Sequence, residues 1–330
     1  MPVTNISSPS IGIRRQPPFP ERLAGWLFAL HTQAASPPQP QPHLLTIPSR
    51  TNPPTDPITI VCISDTHNTT PSPLPAGDIL LHAGDLTQYG TFPELQSQLT
   101  WLDSQPHPHK IVVAGNHDLI LDASFVAAHP DRELDCKPRQ RRRDLDWGGV
   151  RYLRHEAVEV KVGRSGRTVR AFGSPWTPRF GSWGFQYEGG EAEGVWSGKV
   201  PEGTEVLLVH GPPKGHLDDG GKGCEVLLRE VWRVRPRMAV CGHVHAGRGW
   251  QWLGFDKAQE LYERVVLGRG GWVSVVMLAW CVVWGLVVTT FGPWGNTNSA
   301  GRGRGTLLVN AAMVGGKGNT KRREAFVLVV

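Results

Sequence analysis

The chain has 330 residues, of which 19% are charged and 39% hydrophobic, a balance that excludes wholesale disorder. A mean hydropathy of -0.26 excludes a polytopic membrane protein. The net charge of +6 favours anionic partners such as phosphate esters, nucleic acid or an acidic lipid surface, without choosing among them.

Gly (39) and Pro (28) exceed the average combined usage of ~12%, which calls for long loops. Residues 1–57 read as a Pro-rich, disordered N-terminal tail, because SPPQPQPHLL (36–45) and TNPPTDP (51–57) favour extended chain with nothing to bury. Within it, RLAGWLFAL (22–30) is an apolar run too short and too late for a signal peptide, so secretion is not expected. A small docking helix or plain disorder fits it better. From residue 58 five apolar runs of strand length recur: ITIVCIS (58–64), DILLHAG (78–84), KIVVAG (110–115), EVLLVHG (205–211) and MAVCGH (238–243). Such runs read as strands buried on both faces. Helical patterns lie between them, as in PELQSQLTWLDS (93–104) and CEVLLREVWRVR (224–235), and the alternation predicts an α/β layered fold. VRYLRHEAVEVKV (150–162) and RTVRAFGSPW (167–176) predict antiparallel strands around a GRSGR turn.

Two later segments stand apart. The basic run KPRQRRRD (137–144) reads as a solvated loop or as a nucleic-acid or lipid contact. WVSVVMLAWCVVWGLVVTTF (272–291) carries no charge and sits in an uncharged stretch from Arg269 to Arg302. Its length is that of a transmembrane helix. It reads as a surface-lying or re-entrant anchor, as a span whose following strands do not join the domain, or as a segment packed on the domain or an oligomer partner. TLLVNAAMVGG (306–316) and EAFVLVV (324–330) look like closing strands, which makes 257–305 an apolar insertion in a domain covering 58–330. The five cysteines (Cys62, Cys136, Cys224, Cys241, Cys281) form no CxxC pair and fit a reducing compartment, cytoplasmic or at a cytoplasmic membrane surface.

Each of the five apolar runs ends in metal-type ligands: Asp65 and His67, then Asp85, then Asn116, His117 and Asp118, then His210, then His243 and His245. Ligands of open α/β sheets gather at the carboxyl ends of strands, so these ends converge on one crevice. Carboxylates, imidazoles and an amide suit Mn, Fe, Zn or Mg, and the lack of cysteine argues against a structural zinc site. The Asp-x-His and His-x-His pairs place both side chains on one face of extended backbone. Glycines beside Asp85, Asn116, His210 and His243 let the backbone turn and a substrate approach.

At these residues the sequence resembles the calcineurin-like metallophosphoesterase superfamily, whose pattern is D-x-H, GD, GNH[ED], H and GHxH. GSPWTPRFGSWGF (173–185), HGPPKGHLD (210–218) and GHVHAGRG (242–249) narrow the likeness to its metallophosphoesterase-domain-containing branch, which has many fungal members. The resemblance implies the metallo-dependent phosphatase fold, a central β-sandwich flanked by helices. It implies two divalent metal ions, one held by Asp65, His67, Asp85 and His245, the other by Asp85, Asn116, His210 and His243, with Asp85 bridging. It also implies that His117 protonates the leaving alkoxide while a hydroxide formed between the ions attacks phosphorus, with Asp118 orienting His117. GDLTQYG (84–90) lacks the acidic and basic residues of the protein Ser/Thr phosphatase signature GDxxDRG. The expected activity is therefore that of a phosphodiesterase acting on a nucleotide or cyclic nucleotide. A nuclease and a weakly active nucleotide-binding scaffold are the alternatives. The aromatic group Trp176, Phe180, Trp183, Phe185 and Tyr187 reads as a nucleobase platform or as a brace on the sandwich rim. Membrane association through 272–291 remains open at this point.

Overall fold

The computed structural model describes residues 17–35, 41, 43–47, 57–132, 134, 141–163, 166–291 and 305–330, with side chains 34–35, 289–291 and 317 excepted. Two six-stranded sheets face each other. The first has the order β1 (Leu44–Thr46), β16 (Phe326–Val329), β2 (Thr59–Ile63), β3 (Ile79–His82), β4 (His109–Val112), β5 (Val150–Tyr152). The second has the order β12 (Gly249–Leu253), β13 (Thr306–Asn310), β11 (Met238–Cys241), β10 (Val206–Val209), β7 (Arg167–Ser174), β6 (Glu156–Val162). Two short pairs complete the strands: β8 (Thr177–Pro178) with β9 (Gln186–Tyr187), and β14 (Val314–Gly315) with β15 (Lys321–Arg322).

Period-2 alternation explains how the runs are buried on both faces. In β2, Ile60 and Cys62 point between the sheets, while Val61 and Ile63 point outward to the helical layer. The inner core takes Ile79, Leu81 and Ile111 from the first sheet and Val169, Leu208, Val240 and Val309 from the second. The first sheet's outer face is covered by α2 (Phe92–Asp103) through Leu95, Leu99 and Leu102, and by Phe125 of α3 (Ala123–Ala128). The second is covered by α4 (Ala192–Trp196) and α5 (Glu225–Val234) through Trp196, Leu227 and Val231. The result is the expected sandwich flanked by helices. Strands β2, β3, β4 and β5 run parallel, as do β7, β10, β11 and β13. β6 and β7 pair antiparallel across the predicted turn.

Within residues 1–57 two described segments are packed rather than free, and of the two readings of residues 22–30 the docking helix is the one observed. Phe19–Ala35 forms helix α1, whose Ala24, Leu27 and Phe28 are buried. It packs on α6 (Lys257–Val266) and α7 (Trp272–Phe291), joining Ala258, Leu261, Val265, Val275, Leu278 and Val282 in a separate small core. The cause is long-range: the partner of α1 lies in the late insertion, which local composition does not reveal. Leu44–Thr46 likewise pairs with β16, and Leu45 enters the inner core. The Pro-rich stretches 36–40 and 51–56 lie outside the described residues, as do Cys136, the basic positions 137–140 and residues 292–304.

Helix α7 does not separate the domain from its last strands. The strands before and after the α6–α7 insertion, β12 and β13, pair with each other from Gly249↔Asn310 to Leu253↔Thr306, and β13 pairs with β11 on its other edge. A span whose following strands leave the sandwich is thereby excluded. Among the described residues no helix is long and apolar enough to cross a membrane.

Candidate metal centre

The carboxyl ends of β2, β3, β4, β10 and β11 all open on one edge of the sandwich. Backbone hydrogen bonds lace the loops that follow: Asp65 N to the Gly84 carbonyl (2.8 Å), His67 N to the Asp85 carbonyl (3.1 Å), Gly242 N to the His210 carbonyl (2.9 Å). Four of the residues so placed hold left-handed backbone without being glycine: Asp65 (φ 52), His67 (φ 43), Asp85 (φ 54) and His243 (φ 62). Such conformations cost about 1–3 kcal/mol each and persist where surrounding bonds over-determine them, a pattern concentrated at functional sites.

The side chains form two nests that meet at Asp85. In the first, His245 Nε2 lies 3.0 Å from Asp65 Oδ1 and 3.4 Å from His67 Nε2, and His67 Nε2 lies 3.7 Å from Asp85 Oδ2. In the second, His210 Nε2 lies 3.4 Å from Asp85 Oδ1 and 3.0 Å from Asn116 Oδ1, which lies 2.7 Å from His243 Nδ1. The two oxygens of Asp85 thus face different nests. The groups Asp65, His67, His245 and Asp85, His210, His243 each bring ligand atoms within 4.8 Å of one another. His210 Nδ1 donates to the Ala83 carbonyl at 2.8 Å, leaving Nε2 as the lone-pair donor toward the centre.

The electrostatics fit a cation site. Asp65 and Asp85 are fully buried. Burial alone would raise both carboxyls, but the neighbouring imidazoles overrule it and hold both below the usual carboxylate range. Burial opposes a charged His210, yet the adjacent Asp85 pushes it up to about 9, and Asp65 raises His245 in the same way. Burial instead lowers His67, and lowers His243 to about 4, keeping both in the neutral form a metal needs. Two buried carboxylates among convergent imidazole lone pairs suit divalent ions of the Mn, Fe, Zn or Mg kind.

His117 makes a third such group with His67 and Asp85, whereas Asp118 belongs to none of the three. The His117 ring meets His67 edge-on at 4.8 Å and lies against Trp183 at 4.0 Å. Its Nδ1 donates to the Gln88 carbonyl (2.7 Å), and its backbone N–H donates to Asp85 Oδ1 (2.8 Å). The Asp118 carboxylate accepts from Gly115 N (2.8 Å), Thr87 N (2.9 Å), Thr87 Oγ1 (2.7 Å) and Leu86 N (3.2 Å). It clamps the GD loop to the GNH loop, and through that clamp acts on the position of Asn116 and His117.

The aromatic group divides. Phe185 and Tyr187 are core residues, Trp176 and Trp183 are both half-buried against the core, Trp176 edge-on to Phe185, and Phe180 is exposed. Other residues at the site escaped sequence reasoning. Asn310, at the end of β13, donates to the Val244 carbonyl (2.9 Å) and so supports the GHxH loop. Its signal was a sixth apolar strand ending in a polar residue. His82 binds Thr66 Oγ1 at 3.0 Å, and burial lowers it to about 3, so it stays neutral. Arg323 donates to the His245 carbonyl at 2.8 Å from the rim of a groove of about 580 Å³ that Thr69, Pro73, Met313 and Arg322 also line.

A family profile described as Calcineurin-like phosphoesterase matches residues 58–247, and the chain belongs to that family. It is 42% identical over 270 residues to the Emericella nidulans protein named "Probable rhamnogalacturonate lyase C", covering 81% of this chain and 24% of that one. It is 40% identical over 202 residues to human metallophosphoesterase domain-containing protein 1, covering 57% of this chain and 61% of that protein. A Caenorhabditis elegans UPF0046 protein is 35% identical over 219 residues, with 60% of this chain and 68% of the relative aligned. The chain thus spans about a quarter of the first relative and under two thirds of the second.

Proposed function

We propose that this chain is a dinuclear metal-dependent phosphoesterase that cleaves a phosphodiester of a nucleotide or cyclic nucleotide. One observation carries the reading: the two oxygens of Asp85 are shared between two sets of converging donors, with His117 beside them. Asp65, His67, Asp85 and His245 would hold one ion, and Asp85, Asn116, His210 and His243 the other. Two divalent ions there would supply Lewis acidity toward phosphoryl oxygens and a water of lowered pKa.

The chain's own residues supply the rest. His117 gives its Nδ1 hydrogen to Gln88, so Nε2 is the atom that carries a proton to the leaving alkoxide. Trp183 covers one face of that imidazole and limits its rotation. Asp118, bonded to four donors on the two loops, keeps Asn116 and Asp85 in register. A nucleotide substrate is supported by Trp183, whose ring lies against His117 and offers stacking surface for a base, with the exposed Phe180 in the same loop. The cations Arg322 and Arg323 along the adjoining groove favour an anionic substrate.

Asp85→Asn and His243→Ala are expected to lose bound metal and hydrolysis of bis-p-nitrophenyl phosphate. His117→Ala keeps its metal and turns over about 10²–10⁴-fold more slowly. Wild-type turnover in all three folded variants would refute the phosphoesterase reading. A panel of phosphomonoesters, cyclic nucleotides, dinucleotides and single-stranded nucleic acid tests the substrate. Cleavage confined to non-nucleotide esters would refute the nucleotide reading while leaving the hydrolytic one standing.

A further inference from the structure

The exposed faces of α1 and α7 carry an apolar surface that the phosphoesterase reading does not use. One side of α7 is buried at Val275, Leu278 and Val282, against α1 and α6. The other side presents Val273 (73% exposed), Val276, Met277, Trp280 (67%), Val283, Trp284 and Val287, spaced at three and four residues. A helix that is apolar all round needs cover on both sides. On α1, Phe19, Trp26 and Leu30 are exposed at the same helical spacing. The Phe19 and Trp272 rings, 5.9 Å apart, join the two faces at one end.

The composition of this surface says what covers it. Among the described residues, the exposed positions of α1 and α7 hold a single charge, the cation Arg22, set between Phe19 and Trp26. A second copy of the chain would call for a polar rim and about one hydrogen bond per 100–200 Å². Among the described residues, the outward face of α7 offers only indole N–H groups. Tryptophans at positions 26, 272, 280 and 284 are instead the side chains that settle at headgroup depth in a bilayer. An exposed cation amid them, with the adjacent Glu21 only half-exposed, and a net charge of +6 select an anionic leaflet. We propose that α1 and α7 together dock in the plane of an anionic phospholipid surface, holding the domain there without crossing it. This inference does not depend on what the metal centre hydrolyses.

Sedimentation of the full chain with sucrose-loaded phosphatidylcholine vesicles, with and without phosphatidylserine, tests it. Binding is expected to the phosphatidylserine vesicles, with a blue shift of tryptophan emission. Trp280→Asp with Trp284→Asp, both at exposed positions, should keep the melting temperature and weaken binding at least about ten-fold. Arg22→Gln should weaken binding to the phosphatidylserine vesicles roughly five-fold. Absence of sedimentation, equal binding to both vesicle types, or binding indifferent to the double variant would each overturn the proposal. So would light scattering that shows a dimer dissolved by the double variant in a protein that ignores vesicles, since the face would then belong to a second copy.

Discussion

Gly242 shows how tightly single positions define the centre. A Cβ added there would collide with Ser64 Oγ and with the Asp65 carboxylate. Asp65 Oδ1 and Oδ2 each also accept from the backbone N–H of His243, at 3.0 Å, so the carboxylate has nowhere to retreat. Gly242→Ala is therefore expected to lower bound metal and to cost about 1–3 kcal/mol of stability, the usual penalty of overpacking. Metal analysis and urea denaturation read both effects, and undiminished metal content would contradict the geometry. The sequence displayed this glycine beside a ligand but not its purpose. Turning explains Gly84, whose φ is +96, whereas Gly115 and Gly242 leave room for the Asp85 and Asp65 carboxylates. The strained turns fall on Asp65, His67, Asp85 and His243 themselves, because the loops bond to one another across the sheet edge.

At the scale of elements, α5 is anchored by an acid. Glu230 Oε1 accepts from Gly198 N (3.0 Å), Oε2 accepts from Val200 N (3.3 Å), and Arg233 pairs with both oxygens. Burial raises the carboxyl, but Arg233 and the two amides outweigh it and hold its pKa below the ordinary 4.5. A folded-state pKa depressed in this way contributes stability that is complete above pH 4.5 and disappears as pH falls through the lowered value. Glu230→Gln should thus cost about 1.5 kcal/mol at pH 7. The gap to the wild type should close in acid. Urea melts from pH 7 down to pH 3 check this, and a gap independent of pH would refute the role of the charge. The five ligand-bearing strands and helices α2 and α5 were legible because each carries its own period and its own caps, such as Glu94 accepting from Thr91 N. Helix α1 was legible only as one of two alternatives for residues 22–30, since its apolar face matches partners more than two hundred residues away.

For the molecule as a whole, the candidate centre lies where two sheets meet, so metal binding there would be coupled to folding. Asp65 and His67 come from the first sheet's loops, His243 and His245 from the second's, and an ion held by both ties the halves together. Removal of the metals by chelation is expected to lower the melting temperature, and re-addition of Mn to restore it. At 100–1,000 times Kd a ligand adds about 3–4 kcal/mol. An unchanged melting temperature would mean that no ion is held between the sheets.

The sequence by itself determined the α/β class and the family and marked the candidate ligands, because metal-type residues at strand ends in a fixed order are a local record of the chemistry. It also marked the apolar insertion, through the uncharged stretch from Arg269 to Arg302. Only the tertiary structure decided how these parts are used. It divided Trp176, Phe180, Trp183, Phe185 and Tyr187 between core and site, gave Asp118 its place as a clamp on two loops, and folded α1 onto α6 and α7. The physical reason is the same in each case: which face of an element is buried depends on what lies across from it, and that is set by packing between segments far apart in the chain.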